Sequence, residues 1–216
     1  MKKSALLDLL FPPRCAFCAA AGAGVVCPRC AAALPRMGKP LLTGASFGTC
    51  AVPLRYEGVA RDAILRFKFR GGRGAAAGFG AVLAQCVAEE LGGAFELVTW
   101  APVSKRRLRE RGYDQSYLLA RATARLWETK PLRLLEKRRD TPPQSGMGAA
   151  RRRANVLGAY AAVNEGALRG ARVLLIDDIV TTGATLGECA RVLREAGAQS
   201  VVCACLASAS TENRGK

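Results

Sequence analysis

The chain has 216 residues, 33 Lys and Arg against 17 Asp and Glu for a formal charge of +16, nine cysteines and no histidine. The missing histidine excludes Ser-His-Asp and Cys-His couples, H-E-x-x-H zinc sites and imidazole proton shuttles. Any metal site must use thiolates or carboxylates, and the length supports one substantial core with a small appendage.

Lys2 and Lys3 precede residues 4–11, a run too short to span a membrane and interrupted by Asp8, which reads as a short amphipathic helix. No small-residue cleavage site follows, so the expectation is a soluble, cytoplasmic protein without a membrane span. Cys15-x2-Cys18-x8-Cys27-x2-Cys30 comes next. Two thiolates on each of two tight knuckles close a tetrahedral site, which points to one structural zinc ion. Disulfides fit less well without an export signal, and redox C-x-x-C motifs normally come singly. So little apolar sequence lies in the knuckles that metal binding is expected to supply their folding energy. Cys50, Cys86, Cys189, Cys203 and Cys205 lack such spacing and read as buried apolar thiols.

Residues 39–49 read as a Gly/Pro-containing linker, 51–56 as a strand and 59–69 as a helix with Ile64 and Phe67 inward. Residues 70–74, Arg-Gly-Gly-Arg-Gly, break that helix, and 80–91 form the next. Residues 97–100 are a short strand, and Asp114 is placed to cap a helix over 116–127 that sets Arg121 and Arg125 on one face. After a weak strand at 132–135, the polar stretch 138–155 is long enough to be a mobile functional loop. A strand at 159–163 leads to the clearest unit: strand 172–176, loop 177–185, helix 186–196 and strand 200–206. Continuous apolar strands around a helix mean a parallel sheet covered on both faces.

Charge is concentrated. Residues 101–153 carry fifteen basic and five acidic side chains, +10 of the total, with Arg dominating. Guanidinium forks suit phosphate, so a phosphorylated small molecule or a nucleic acid is the expected partner.

The loop after strand 172–176 has its own chemical logic. Asp177 and Asp178 stand at the carboxyl edge of a strand, where open α/β sheets bind ligands. Thr181, Thr182, Gly183, Ala184 and Thr185 then present hydroxyls and backbone N–H groups at a helix N-terminus. Carboxylates that accept from hydroxyls beside a phosphate cradle suit a sugar phosphate.

This segment resembles the PRPP-binding motif of type I phosphoribosyltransferases. Residues 102–115, Pro-Val-Ser-Lys-Arg-Arg-Leu-Arg-Glu-Arg-Gly-Tyr-Asp-Gln, look like the basic loop of the ComF family, and 138–144 with 151–155 look like that family's third block. With the cysteine array, the resemblance covers nearly the whole chain. It implies an α/β type I phosphoribosyltransferase fold, a parallel sheet with helices on both faces, over residues 49–216. A small four-cysteine zinc-binding domain with the N-terminal helix would occupy 1–48. Asp177 and Asp178 would bind the ribose hydroxyls of PRPP, and Thr181–Thr185 its 5′-phosphate. The Ser104-Lys105 turn, with Arg106 and Arg111, would face the pyrophosphate, and stretch 138–155 would close over the transition state. Lys105 and Arg111 join the two aspartates as the implied catalytic residues. Mg²⁺ would be held mainly by PRPP oxygens. Two departures stand out: Asp114 replaces the family's usual Asn, and only Cys50 remains of a second Cys pair, so one zinc is expected.

The implied reaction displaces pyrophosphate from the anomeric carbon by a nitrogen nucleophile, in a setting of DNA uptake and competence. Deprotonation of the acceptor could fall to Asp177, Asp178 or the substrate itself. Two other readings compete. One is a single-stranded DNA-binding accessory protein of DNA uptake, with Arg151, Arg152 and Arg153 as the contact residues. The other is a non-catalytic PRPP sensor. Acceptor and oligomeric state are not legible in the sequence.

Overall fold

The apolar run 173–176 is fully buried and lies inside a six-stranded sheet of the computed structural model, which describes residues 12–22, 24–140 and 154–210. The expected N-terminal helix, the Arg151–Arg153 cluster and most of the 138–155 stretch lie outside the described residues.

The strands are β1 (Leu41–Gly44), β2 (Gly48–Ala51), β3 (Leu54–Arg55), β4 (Leu97–Trp100), β7 (Arg172–Val180) and β8 (Ser200–Ser208), with a separate antiparallel pair β5 (Leu135–Lys137) and β6 (Tyr160–Ala162). Across the main sheet the order is β1-β2-β8-β7-β4, with β3 continuing the β2 position along β8. All these pairings are parallel except β1 with β2. The short helix α1 (Pro28–Ala33) precedes the sheet and carries Cys30. Side-chain alternation splits the core into two layers. Leu174, Ile176, Ala204 and Leu206 pack on one face beneath α2 (Gly58–Phe69), α3 (Ala76–Leu91) and α5 (Gln115–Ala124). Val173, Leu175, Cys203 and Cys205 pack on the other, beneath α6 (Ala184–Glu195) and the β5–β6 pair. The expected parallel sheet with both faces covered is present, and Cys50, Cys86, Cys189, Cys203 and Cys205 are buried thiols.

Helical spacing explains the helices. Ala60, Ala63, Ile64 and Phe67 form the buried stripe of α2, which ends where Gly71 takes a left-handed φ of 67°. A Cβ at Gly80 of α3 would stand 2.6 Å from the Cβ of Ala122 in α5, so glycine permits that close helix crossing.

The structure differs from the sequence reading in four places. The stretch read as linker forms the β1–β2 hairpin, whose strands fall either side of the turn before residue 48. Its Leu42 packs on the core, a signal the Gly and Pro content obscured. The strand read over 51–56 is split, because Pro53 has no N–H to donate to the ladder. The basic loop contains a helix, α4 (Lys105–Arg111), capped by Ser104 and stopped by Gly112 at φ 73°. Strand β7 runs to Val180, so both aspartates lie within it and the loop shrinks to three residues. No helix among the described residues is long and apolar enough to cross a membrane.

Candidate functional site

Cys15, Cys18, Cys27 and Cys30 bring their sulfurs within 4.8 Å of one another. Zn–S bonds of about 2.3 Å put tetrahedral sulfurs about 3.8 Å apart, and Cys18 Sγ lies 3.7 Å from Cys27 Sγ. Backbone N–H groups already point at the sulfurs: Cys27 N donates to Cys15 Sγ and Cys30 N to Cys27 Sγ. Burial raises the Cys15 thiol, but amide donors from Cys27, Cys18 and Phe17 outweigh it and bring it down to about 6. Burial and its sulfur neighbours push Cys30 the other way. Four such thiols fit a structural zinc ion, with no position left for substrate. The knuckle is seated on the main core: Phe17 meets Phe79 edge-on at 5.2 Å, Phe79 meets Phe67 at 5.3 Å, and Arg66 donates to the Phe17 carbonyl.

On the carboxyl edge of the sheet a cavity of about 310 Å³ opens over Asp177 and Asp178. The size is within the range of small-molecule sites. Asp177 Oδ1 accepts from Ser116 Oγ at 2.8 Å and from the backbone N–H of Asp178 at 2.8 Å. Burial, with the neighbouring Asp178 charge adding to it, pushes Asp177 up to about 7. Asp178 Oδ1 holds Lys68 Nζ at 2.8 Å, while its Oδ2 is buried without a partner.

Cations line the opposite wall. Arg107 and Arg111, one turn apart on α4, face the cavity, as does Lys137 of β5. Burial lowers the pKa of Arg111, whose Nη1 is buried and unpaired. Burial also lowers that of Lys137, whose Nζ sits 4.9 Å from the Tyr160 ring centre. Of the residues expected here, Arg111 lines the cavity and Ser104 caps α4. Lys105 and Arg106 are exposed on the helix's outer face, where Arg106 lies 3.8 Å from Glu110. Reading 105–111 as a loop hid the helical period that selects 107 and 111. Lys68, Lys137 and Gln115 were also missed. Gln115 is adjacent to the cap residue, but Lys68 and Lys137 carry no local signal.

The cradle follows β7. Thr181 and Thr185 line the cavity, and Thr182 Oγ1 is buried without a partner. Gly183 caps α6 with φ 71°, and Ala184 is the first helical residue. A Cβ at Gly183 would meet Phe47 Cε1 at 2.3 Å. The hairpin tip therefore braces the cradle: Phe47 lies on Gly183 and Ser46 on Gly187.

Asp114 does more than cap α5. Its Oδ1 accepts from Tyr117 N at 3.0 Å, and its Oδ2 from Val103 N at 3.1 Å and Trp100 Nε1 at 3.2 Å. It thus ties the end of β4 to both helices that frame the cavity. Arg139 donates to the Leu157 carbonyl at 2.8 Å, and Glu188 accepts from Gly158 N at 2.7 Å. These contacts pin both stems of segment 141–153 near the site.

Comparison with known proteins agrees with this geometry. A family model described as a phosphoribosyl transferase domain matches residues 114–215, and one described as a double zinc ribbon domain matches 6–63. Competence protein F of Haemophilus influenzae is 34% identical over 108 residues, 49% of this chain and 47% of that protein. The DNA utilization protein YhgH of Escherichia coli O157:H7 is 33% identical over 109 residues, 49% and 46% of the two chains. Competence protein ComFC of Bacillus subtilis is 29% identical over 142 residues, 66% and 56%. The chain spans about half the length of the curated relatives it matches. Against the double-ribbon match, the described residues hold one complete four-cysteine set, and Cys50 is paired into the sheet opposite Cys203. A phosphoribosyltransferase domain on a mostly parallel α/β sheet, a zinc-ribbon cysteine cluster docked to it and the competence-protein relatives together support a ComF family protein.

Proposed function

We propose that the chain binds PRPP with Mg²⁺ and transfers its phosphoribosyl group to a nitrogen nucleophile, in a process linked to DNA uptake. One observation carries the reading. Four buried polar atoms have no partner among the described residues: Arg111 Nη1, Gln115 Oε1, Asp178 Oδ2 and Thr182 Oγ1. Three belong to residues lining the cavity and the fourth to the adjacent cradle. A buried donor or acceptor left unmade costs about 1–3 kcal/mol, which a ligand carrying hydroxyls and phosphates recovers.

In this reading the aspartates accept from the ribose hydroxyls, and Asp178 shares its load with Lys68. The α6 N-terminus and Thr182 take the 5′-phosphate. Arg107, Arg111 and Lys137 face the departing pyrophosphate, where negative charge grows as the C1–O bond breaks. Bound Mg²⁺ supplies further neutralisation of that charge. The bond electrons leave with pyrophosphate, the acceptor nitrogen bonds to C1, and its proton passes to Asp177, Asp178 or solvent. The names of the competence and DNA-utilization relatives support the link to DNA uptake.

Calorimetry with Mg²⁺ and PRPP, paired with a pyrophosphate-release assay across nucleobases, ammonia and amines, tests the reading. Binding is expected in the wild type and a loss of at least about a hundredfold in Asp178→Ala. A wild type that binds no PRPP overturns the reading. Binding without pyrophosphate release from any acceptor identifies a sensor.

A further inference from the structure

One turn of helix reaches both the cysteine corner and the pocket. Arg66, Phe67, Lys68 and Phe69 end α2, and consecutive helical residues project about 100° apart, so these four point in four directions. Toward the corner, the Arg66 guanidinium donates to the carbonyl of Phe17, whose own amide N–H faces the Cys15 sulfur. Into the core, the Phe67 ring meets Phe79 and lies 6.0 Å from Tyr113, whose hydroxyl donates to the Phe67 carbonyl. Toward the pocket, Lys68 Nζ holds Asp178 Oδ1 at 2.8 Å, and the exposed Phe69 ring lies 4.8 Å from the Arg111 guanidinium. No residue of the corner lines the pocket itself. Arg66 forms no ion pair among the described residues, so the Phe17 carbonyl is what it is built to meet.

We infer that this turn couples the two sites: the occupied cysteine corner fixes, through Arg66 as a positioning residue, the placement of Lys68 and hence of Asp178. The ligand whose affinity reports the coupling is PRPP, so on that point the inference rests on the reading above. Coupling needs an element with two states that both sites bias. The corner supplies one. Between Cys15 and Cys30, Phe17 is the one large apolar side chain buried among the described residues, so the order of the knuckle depends on its metal. With the knuckle ordered, Arg66 has its acceptor and Phe79 its edge-on partner; with the knuckle loose, the turn loses both. Lys68 is the one cation paired with either aspartate among the described residues. A displaced turn therefore moves Lys68 off Oδ1 and with it the buried, unpaired Oδ2 that a ligand would meet. The linkage is reciprocal: whatever factor the filled corner adds to PRPP affinity, bound PRPP adds to zinc affinity.

Calorimetry of PRPP with Mg²⁺ on the full chain, paired with zinc affinity from competition with a zinc-selective chelator, tests this. Removal of zinc is expected to weaken PRPP binding at least about fivefold, and saturating PRPP to tighten zinc by the same factor. Arg66→Met keeps every cysteine and every pocket residue but has no donor; with zinc still bound it is expected to weaken PRPP binding at least about threefold. That variant decides the matter if the metal-free chain does not stay folded. Arg66→Lys, which can still donate to the carbonyl, is expected to restore most of the affinity. Val201→Ala, in the opposite core layer, is expected to lower the melting midpoint and leave both affinities unchanged, which separates positioning from loss of stability. Lys68→Met, measured without PRPP, is expected to weaken zinc binding at least about threefold. The coupling is overturned by PRPP and zinc affinities that are independent of each other, by Arg66→Met binding as the wild type does, or by Val201→Ala reproducing its loss. A wild type that binds no PRPP overturns the pocket reading alone; the Lys68→Met measurement then decides, and an unchanged zinc affinity overturns the coupling.

Discussion

The cysteine corner and the carboxyl-edge pocket are built on opposite plans. The corner takes its four sulfurs from sixteen consecutive residues, points backbone donors at them and packs Phe17 into the core behind them. The pocket draws Lys68 from α2, Arg107 and Arg111 from α4, Gln115 and Ser116 from α5, Lys137 from β5 and two aspartates from β7, and leaves buried polar atoms unpaired. A site that closes on itself serves the fold. A site assembled from distant elements, with bonding capacity to spare, is shaped for something that arrives.

The largest effect is expected where the corner is opened. Cys15→Ser removes one of four ligands and loosens the Phe17–Phe79–Phe67 stack, whose ring contacts each contribute about 0.5–1.5 kcal/mol beyond burial. Metal analysis is expected to fall from one zinc per chain to none, and the melting midpoint by something on the order of 10 °C. A metal-free wild type with an unchanged midpoint breaks the contrast between the two regions. Next in size is Gly183→Ala, which combines a left-handed φ of 71° with a Cβ placed against Phe47. Urea unfolding is expected to show a loss of about 2–5 kcal/mol. Because Phe47 is the obstacle, Phe47→Ala and Gly183→Ala are expected to be non-additive by about 1 kcal/mol or more, and additivity would remove the hairpin from the cradle.

The same contrast explains what was legible in the sequence. The four-cysteine set depends on local spacing alone, and its four residues are those the structure brings together. The aspartates and the Thr/Gly cradle were equally visible, since one strand and one helix N-terminus deliver them. Arg107 was within reach: a helix over 105–111, capped by Ser104 and ended by Gly112, selects 107 and 111 by period, whereas a loop directs attention to Lys105 and Arg106. Lys68 and Lys137 were not legible. Each is an ordinary basic residue on a surface-like element until the fold brings α2 and β5 over the same strand end. The hairpin at 41–51 was hidden differently, because glycines that relieve close contacts look the same as glycines of a linker.

A smaller effect tests how the pocket's frame is held. Asp114 offers one oxygen to Tyr117 N and the other to both Val103 N and Trp100 Nε1. Asp114→Asn replaces one of these acceptors by an NH₂ donor, so at least one buried donor loses its partner at a cost of about 1–3 kcal/mol. Denaturant midpoints are expected to show that loss, with a weakened PRPP affinity because Val103 leads into α4. An unchanged midpoint means Asp114 is a replaceable cap.

The smallest effect concerns one proton. Asp177 is raised to about 7 by burial and by Asp178, above the ordinary 3.8. The unliganded folded chain therefore holds a proton at Asp177 that the unfolded chain has released. From this group stability is fully present below about pH 4 and is lost as pH rises to about 7, by at most about 1.4 kcal/mol per pH unit, then levels off. A ligand that donates hydroxyls to Asp177 favours the ionised form and must expel the proton. At pH 6, calorimetry of PRPP binding in buffers of different ionisation enthalpy is expected to show release approaching one proton. Affinity is expected to rise with pH toward 7 by at most about tenfold per unit. In Asp177→Asn that release disappears, along with the part of the pH dependence due to this carboxyl. Equal proton release in the variant and the wild type assigns the proton elsewhere. The carboxyl that makes the unliganded pocket more stable in acid is the one that makes the filled pocket more stable in base.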